Sequence, residues 1–324
     1  MLLSEFIRVG TARLESLYPS PEARGLVLML CEELLGVSRY EHIIEPQTAV
    51  PDGRLAELED GLRRLCAGEP VQYVLGVTEF CGHRFAVGPG VLIPRPETEM
   101  LVAEAVRSLR DMDLDRAPRV LDLCTGSGCI AWSIALEIRD AEVVGVDLSE
   151  AALDYARNQF PALGGGSFVP HGQEKKSSLR CGNAHAGQTA ARLAGHGRLD
   201  RPSPLFLRAD VLDMEQAFPY GPFDLIVSNP PYVMERERAQ MRPNVLDWEP
   251  AEALFVPDGD PLLFYRAVAR WAQRFLRPRG AGIVEINEAL GDETAAVFRG
   301  AGLKNVQILP DFYKKVRFVT FAAA

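Results

Sequence analysis

The strongest constraint on the fold is an alternation of short apolar strands with helices, which begins near residue 119. The first four predicted elements are a strand, a helix, a strand and a helix, at 119–123, 129–137, 142–147 and 149–160. Ser149 suits the N-cap of the last helix. A parallel pair of strands needs a long crossover, and a helix usually supplies it. The pattern therefore predicts an α/β domain whose parallel sheet carries helices on both faces.

Later runs of apolar and β-branched residues predict five more strands, at 205–208, 223–228, 281–286, 305–309 and 316–321. Only a short turn separates the last two strands, so we expect them to form an antiparallel hairpin at one sheet edge. Residues 164–203 interrupt the alternation. This segment is rich in Gly, Ser and His and carries six basic and two acidic side chains. These features predict a flexible surface insertion.

Residues 1–70 show only helical periodicity. Two apolar stripes at helical spacing end at Gly36 and Gly68, and Ser20 is placed to cap the first of these helices. The stripes consist of Leu26, Leu30 and Leu34 and of Leu55, Leu58, Leu62 and Leu65. They predict a small N-terminal helical bundle. Short β-prone runs among glycines then predict a hairpin linker over 71–93, and the second domain is expected to span 94–324.

Charge and cysteine content limit the classes of partner. The net charge of −9 disfavours a protein that grips nucleic acid through its phosphates, so no direct nucleic-acid partner is expected. The six cysteines form no CxxC pair, and no apolar run reaches the roughly 18 residues of a membrane span. We therefore predict a reduced, cytoplasmic protein with no membrane partner. The four His and Cys residues of the insertion match no zinc pattern, so no metal site is predicted: His171, Cys181, His185 and His196.

A glycine-rich turn follows the first predicted strand of the sheet. Glycines at 126 and 128 allow backbone to approach a ligand, and the helix that follows offers free N–H groups. Asp147 lies about 20 residues downstream, where a carboxylate binds ribose hydroxyls. The pattern predicts an adenosine-type cofactor, either a nicotinamide dinucleotide or S-adenosylmethionine. A structural turn without a ligand is the alternative.

The residues Asn229-Pro-Pro-Tyr232 directly follow the predicted strand 223–228. They are expected at the carboxyl end of the sheet, where open α/β folds bind ligands. Two prolines fix the backbone, so the Asn229 carboxamide and the Pro230 carbonyl can both aim at one NH₂ group, while Tyr232 supplies a flat face. The arrangement predicts a site that presents a nitrogen lone pair to an electrophilic methyl group. The alternative is a rigid turn without chemistry.

Taken together, the motifs resemble those of the release-factor glutamine methyltransferases, and they run from the N-terminal helices to Phe321. The matching segments are Pro70–Tyr73, Ile93–Glu99, Asp122–Gly128, Ser228–Tyr232, Asn244–Pro250 and Asp260–Tyr265. The resemblance implies a seven-stranded, Rossmann-like class I methyltransferase domain behind an N-terminal substrate-binding domain. It also implies S-adenosylmethionine as cofactor and class 1 peptide chain release factors as protein substrates. The methyl acceptor would be the side-chain amide of the glutamine in their Gly-Gly-Gln motif.

The resemblance also implies roles for individual residues. Asp147 would take the ribose hydroxyls, and Asp210 and Val211 would lie near the adenine. The methionine and ribose part of the cofactor would be lined by Cys124, Thr125, Gly126, Ser127 and Gly128. The substrate glutamine would be held by Asn229, Pro230, Pro231 and Tyr232, with Asn229 also near the cofactor.

Three departures from the family pattern stand out. Cys124 occupies a position that is often glycine, which is tolerable at negative φ but strained at positive φ. Val211 replaces an aromatic residue seen in some relatives, which weakens stacking on adenine. The insertion at 164–203 is foreign to the family and could obstruct the site if it folded back.

The expected chemistry needs orientation rather than acid–base help, because an amide nitrogen is a poor nucleophile. We assign no general base, and we expect Glu97 or Glu99 to contribute to an acidic pocket for the cofactor's sulfonium, although a capping role suits Glu99 equally. Other functions remain open: methylation of the N6 amine of DNA adenine, which shares Asn229–Tyr232, and a cofactor-binding scaffold without turnover. An oxidoreductase would leave Asn229–Tyr232 unexplained.

Overall fold

The computed structural model describes residues 1–160 and 203–324. These residues form two compact units. One unit comprises 1–77 together with Arg242–Trp248, and the other comprises 78–160, 203–241 and 249–324. The stretch Arg242–Trp248 thus groups with the helical residues, although the sequence pattern assigned it to the second domain. The insertion predicted at 164–203 lies outside the described residues, apart from Ser203.

The first unit is helical, as predicted. Its helices are α1 (Leu3–Leu14), α2 (Ser20–Leu35), α3 (Glu41–Ile44), α4 (Asp52–Cys66) and α5 (Val71–Leu75), with α9 (Pro243–Leu246) from the later stretch. The apolar stripe of α4 is buried against α2. A Cβ at Gly61 would lie only 2.6 Å from the Leu30 Cδ1 atom, so this glycine lets the two helices approach closely. An ion pair between Arg242 and Glu22 ties the later stretch to α2.

Local signals predicted some helix ends and missed others. Gly36 ends α2 in the left-handed conformation (φ 68°), as expected. The predicted cap at Ser20 is wrong, because Ser20 and Pro21 are the first two residues of the helix and no side chain caps it. Residues 71–75 are also helical rather than β-like. Five residues are too few to separate the two periods, and a proline before the segment and Gly76 after it (φ 73°) enclose a single turn.

The second unit contains the predicted hairpin, apart from its first residue, and the predicted sheet. The hairpin strands are β1 (Val77–Phe80) and β2 (His83–Ala86). The other strands are β3 (Arg119–Leu123), β4 (Glu142–Asp147), β5 (Leu205–Arg208), β6 (Phe223–Ser228), β7 (Val233–Met234), β8 (Phe255–Val256), β9 (Leu276–Glu285), β10 (Lys304–Pro310) and β11 (Val316–Ala322). The long helices are α6 (Thr98–Asp111), α7 (Cys129–Glu137), α8 (Glu150–Arg157), α10 (Leu263–Phe275) and α11 (Gly291–Gly300).

The seven-stranded sheet has the order β10-β11-β9-β6-β3-β4-β5. The strands from β9 to β5 pair in parallel, whereas β11 pairs antiparallel with both β9 and β10. The predicted edge hairpin is therefore confirmed, and so is the predicted α/β domain with a seven-stranded, mostly parallel sheet. Helices cover both faces and bury one apolar cluster on each side. Within the described ranges, no helix is long and apolar enough to cross a bilayer.

Candidate active site

The site lies where three parallel strands end side by side. Leu123 of β3 pairs with Val146 of β4 and with Ser228 of β6, so the residues that follow these strands share one sheet edge. A cavity of about 340 Å³ opens there. Its walls include the predicted residues Cys124, Thr125, Gly126, Ser127, Asp147, Asp210, Val211, Asn229 and Pro231. The structure therefore brings together two motifs that are about a hundred residues apart in sequence.

Three predicted site residues do not line this cavity. Gly128 caps the start of α7, and a Cβ there would lie 2.9 Å from both the Ala156 Cβ and the Phe206 ring. Pro230 is buried behind the wall. The Tyr232 ring turns away, and its hydroxyl donates to Glu285 instead of offering a flat face to the cavity. All three positions support the walls.

The loop after β3, Cys124–Gly128, takes its shape from unusual backbone angles. Gly126 and Gly128 both have positive φ, at 54° and 76°. Cys124 has a φ of 59°, which is the strained case considered for this departure from glycine. A left-handed conformation costs a residue with a Cβ about 1–2 kcal/mol. The loop therefore adopts its shape despite the cysteine.

The Asp147 carboxylate fastens this loop to β4. It accepts hydrogen bonds from the Gly126 N–H (2.8 Å) and the Ser149 N–H (2.9 Å), one on each oxygen. Burial raises the pKa of Asp147 although these N–H groups stabilise the charged form. A carboxylate can accept about four hydrogen bonds, so Asp147 keeps capacity to accept from a ligand.

A second carboxylate, Asp122, lies behind the same loop and was not predicted as a site residue. It is fully buried and accepts a hydrogen bond from the Thr125 hydroxyl at 2.6 Å. Its Oδ1 atom accepts none from the described residues. Burial raises the pKa of Asp122 to about 7, against the opposing effect of the Thr125 hydroxyl and the nearby Ala131 N–H.

The loop after β6, Asn229–Tyr232, depends on side chains. The Asn229 amide donates to the Thr98 hydroxyl (3.3 Å), and that hydroxyl donates to Glu285 (2.7 Å). The Tyr232 hydroxyl donates to the other Glu285 oxygen at 2.9 Å. Burial raises the pKa of Glu285, and burial beside this carboxylate raises the pKa of Tyr232. The four side chains form one network, in which Asn229 and Thr98 line the cavity and Glu285 is buried.

The sequence-based predictions missed Glu285 and Thr98 as parts of the site. Glu285 ends β9 and is only 1% exposed, and Thr98 begins α6. A signal was present for each residue. Thr98 belongs to the Ile93–Glu99 motif, and Glu285 is a charge inside an otherwise apolar predicted strand. Such a charge stays buried only when polar partners surround it.

Two further motifs meet at the cavity rim. The buried Glu249 carboxylate accepts from the Arg95 guanidinium (2.7 Å) and from the Ile93 N–H (3.1 Å). Arg95 and Pro250 both line the cavity. Glu249 and Pro250, the end of the Asn244–Pro250 segment, therefore share this wall with the Ile93–Glu99 segment.

The acidic part of the cavity differs from the expectation. Neither Glu97 nor Glu99 lines it, and Glu99 accepts a hydrogen bond from the Cys81 N–H at 3.0 Å. The carboxylates in the walls are Asp147, Asp210 and Glu252. Among the described residues, no cluster of His, Cys, Asp or Glu could hold a metal ion. The four His and Cys residues of the insertion lie outside the described residues.

The region around Asp210 and Val211 has an aromatic residue from another element. Val211 is buried, and its carbonyl accepts from the Trp271 indole N–H at 2.9 Å. The Asp210 carboxylate accepts from the Leu212 N–H at 2.9 Å. Phe264 also lines the cavity. An aromatic ring is thus available although position 211 carries none.

Comparison with known proteins shows what this chain is similar to. The family model described as the PrmC N-terminal domain matches residues 5–76. The chain is 36% identical over 307 residues to the release factor glutamine methyltransferase of Bacteroides thetaiotaomicron, which covers 95% of both chains. It is 37% identical over 289 residues to the enzyme of that name from Bordetella pertussis, which covers 89% of both. A solved protein-(glutamine-N5) methyltransferase from Alicyclobacillus acidocaldarius is 29% identical, covering 74% of this chain and 99% of that one, with a TM-score of 0.37.

Proposed function

The chain belongs to the release factor glutamine methyltransferase family, and on this premise we propose a specific reaction for it. It transfers a methyl group from S-adenosylmethionine to the side-chain amide nitrogen (N5) of the glutamine in the Gly-Gly-Gln motif of class 1 peptide chain release factors. The observation that carries the proposal is that Asp147 and Asn229 line one cavity. One residue suits an adenosine ribose, and the other suits a carboxamide. The family membership confirms the resemblance predicted from the motifs.

The residues around Asp147 fit the cofactor. S-adenosylmethionine, when bound, supplies an electrophilic methyl group on a positively charged sulfur. The free lone pairs of Asp147 would accept the two ribose hydroxyls. The loop Cys124–Gly128 brings backbone close to the methionine part, and Gly126 has open space where a Cβ would stand. The carboxylates of Asp210 and Glu252 add negative charge that favours the sulfonium.

The adenine would lie toward Val211. Val211, Leu212 and Phe264 all line the cavity and offer apolar surface. Packing of such a ring against another aromatic system contributes about 0.5–1.5 kcal/mol of favourable free energy. Phe264 would then compensate for the missing aromatic residue at 211.

The residues around Asn229 fit the substrate. A glutamine amide carries two N–H donors, and the Asn229 side-chain oxygen is an acceptor on the cavity wall for one of them, held by a turn that two prolines make rigid. Holding this hydrogen would orient the substrate nitrogen toward the methyl donor. Transfer to that nitrogen would replace the methyl–sulfur bond by an N–C bond, leave the electron pair on sulfur and release one amide proton to water. No residue is assigned as a general base.

The domain roles and location extend the same proposal. Residues 1–70 would bind the release factor, residues 71–93 would link the domains, and residues 94–324 would carry out transfer. The match of residues 5–76 to a family-specific domain supports a dedicated role for the helical unit. The cytoplasm is the proposed location, and the five described cysteines, which are all free, suit a reducing compartment.

A transfer assay with labelled S-adenosylmethionine tests the proposal. Three acceptors are compared: a class 1 release factor, the same factor with alanine in place of the glutamine of Gly-Gly-Gln, and adenine-containing DNA. We expect label on the first acceptor alone. Label on DNA would support adenine methylation instead. Cofactor binding by calorimetry with no transfer to any acceptor would identify a scaffold, and either result would overturn the proposal.

A further inference from the structure

Behind Asn229 lies a short chain of hydrogen bonds that the proposed reaction does not itself use. It runs from Asn229 through the Thr98 hydroxyl to the Glu285 carboxylate. Thr98 is 2% exposed and Glu285 is 1% exposed, so water does not compete for these groups. This chain of hydrogen bonds connects Asn229, on the cavity wall, to the buried carboxylate of Glu285.

The direction of this chain follows from counting donors and acceptors. An ionised carboxylate only accepts, so the single Thr98 hydroxyl hydrogen must go to Glu285. The Thr98 oxygen can then only accept, and the Asn229 atom next to it must be the NH₂ group. The hydrogen-bond partners, rather than the nearly symmetric shape of the amide, thus identify its nitrogen end.

We infer that Glu285 and Thr98 are positioning residues that set the orientation of the Asn229 amide, so that its oxygen faces the cavity as an acceptor for an NH₂ donor. The inference rests on the proposed function for its substrate. With the amide reversed, Asn229 would present its own NH₂ group to the NH₂ of a glutamine, and two donors would meet. These hydrogen bonds would therefore favour a substrate carboxamide, which donates through its NH₂ group, over substrate groups that can only accept hydrogen bonds.

The protonation state of Glu285 is the condition for this direction. Its neighbours include the Tyr232 and Tyr265 hydroxyls, the Arg317 guanidinium, which stabilises the charged form, and Glu97, which opposes it. A protonated Glu285 can donate to Thr98, and the Thr98 hydrogen is then free to point at the oxygen of Asn229. Acidic pH thus removes the preference of the Asn229 side-chain amide for one orientation.

Two substitutions at Thr98 test the inference. T98V keeps the shape and removes the hydroxyl, so we expect the methyl-transfer rate to fall about tenfold to a hundredfold, the range for loss of a hydrogen bond to a charged group. T98S restores the hydroxyl and should recover transfer to within roughly threefold of wild type. T294V is the matched control, because the Thr294 hydroxyl is also fully buried but has no partner among the described residues.

Two readouts separate this role from a merely structural one. Transfer by wild type and T98S should decline toward acidic pH, whereas T98V should lack this decline. The side-chain amide protons of Asn229, assigned by their absence in N229D, should exchange slowly in wild type and T98S and quickly in T98V. Equal transfer rates or equal exchange in T98V and T98S would overturn the inference.

The same data distinguish the proposed function from the orienting role of Thr98 and Glu285. If wild type transfers no methyl group but the Asn229 amide shows the expected exchange pattern, the proposed function fails and the orienting chain stands without its substrate. If wild type methylates the release factor and T98V matches T98S, the function stands and the inference fails.

Discussion

The loops after β3 and β6 border the same cavity but are built from different chemistry. The loop Cys124–Gly128 takes its shape from positive φ angles and presents backbone, fastened by the Asp147 carboxylate. The loop Asn229–Tyr232 is rigid through its prolines and presents side chains, fastened by Thr98 and Glu285. A backbone site tolerates a changed side chain that fits its φ, whereas a side-chain site does not tolerate a changed functional group.

Each loop is also supported by a buried carboxylate, and the two carboxylates differ in how many of their oxygens accept a hydrogen bond. Both Glu285 oxygens accept hydroxyl hydrogen bonds. Asp122 has one such bond and one oxygen without a partner among the described residues. A carboxylate with an unsatisfied buried oxygen favours its protonated form. A negative charge is therefore better stabilised on Glu285, behind the second loop, than on Asp122, behind the first.

The largest expected effect is on the side-chain loop. Asn229→Ala removes the substrate acceptor, so methyl transfer should fall roughly 100- to 1,000-fold, as when one positioned hydrogen-bonding group is removed from an active site. Cofactor affinity should change less than about threefold, because the ribose and loop contacts remain. Single-turnover transfer and calorimetry measure the two quantities. Asn158→Ala, outside the cavity, is the control, and loss of cofactor binding by the Asn229 variant would contradict the division between the loops.

A matched pair of glycine substitutions tests the backbone loop. Gly128→Ala should lower the free energy of unfolding by about 3 kcal/mol, because strain at positive φ adds to a collision with Ala156 and Phe206. Gly126→Ala has open space for its Cβ and should cost only about 1 kcal/mol. Chemical denaturation measures both values. Equal losses would show that packing against Gly128 is less tight than the structure indicates.

The fastening carboxylate should affect the cofactor first. Asp147→Asn places an NH₂ group against one of two backbone N–H donors, so cofactor affinity should fall about 10- to 100-fold. The transfer rate at saturating cofactor should fall much less. Calorimetry and saturation kinetics check this, with Asp140→Asn at an exposed position as the control. A variant that binds the cofactor normally but transfers slowly would reverse the assigned roles.

Asp122 should make stability depend on pH in a specific direction. Its folded pKa of about 7 lies above its ordinary value of 3.8, so between these values the folded protein keeps a proton that the unfolded chain releases. Stability from this group is complete below pH 3.8, declines as pH rises to about 7 and is constant above. Asp122→Asn should remove this decline, which amounts to roughly 2–3 kcal/mol between pH 5 and pH 8. Unfolding curves that stay parallel to wild type across this range would contradict a raised pKa.

The smallest expected effect is at Cys124. Cys124→Gly removes the strain at positive φ but adds freedom to the unfolded chain and loses partly buried sulfur contacts, so the unfolding free energy should change by less than about 0.5 kcal/mol. Cys124→Ala keeps the strain and loses the same contacts, so it should be the less stable of the two. Thermal unfolding ranks them, and the opposite ranking would show that the φ of residue 124 carries no strain.

Periodicity was sufficient to predict the sheet and the two loops. Every strand of the seven-stranded sheet was anticipated within a few residues, apart from β9, which begins earlier than predicted at Leu276. The helix at 71–75 was missed because a single turn shows no clear period. Grouping of Arg242–Trp248 with the helical unit depends on contacts such as Arg242 to Glu22, which are 220 residues apart and leave no local signal.

The polar network behind the second loop shows the same limit within the site. Thr98 and Glu285 are 187 residues apart, so neither local pattern nor charge count pairs them. Glycines 126 and 128 were predicted to let backbone approach a ligand, and the structure shows that both adopt positive φ. For Cys124 the sequence left both a negative and a positive φ open. A single sequence does not show which neighbouring residues hold a backbone angle in a strained region.

The most direct test of the central claim is fragment mass spectrometry of a class 1 release factor after incubation with this protein and S-adenosylmethionine. Our account predicts a single added methyl group on the glutamine of Gly-Gly-Gln, located on its side-chain nitrogen, and its absence when Asn229→Ala replaces the wild type. An unmodified glutamine, or a methyl group on another residue, in a reaction where the protein binds the cofactor would contradict the account.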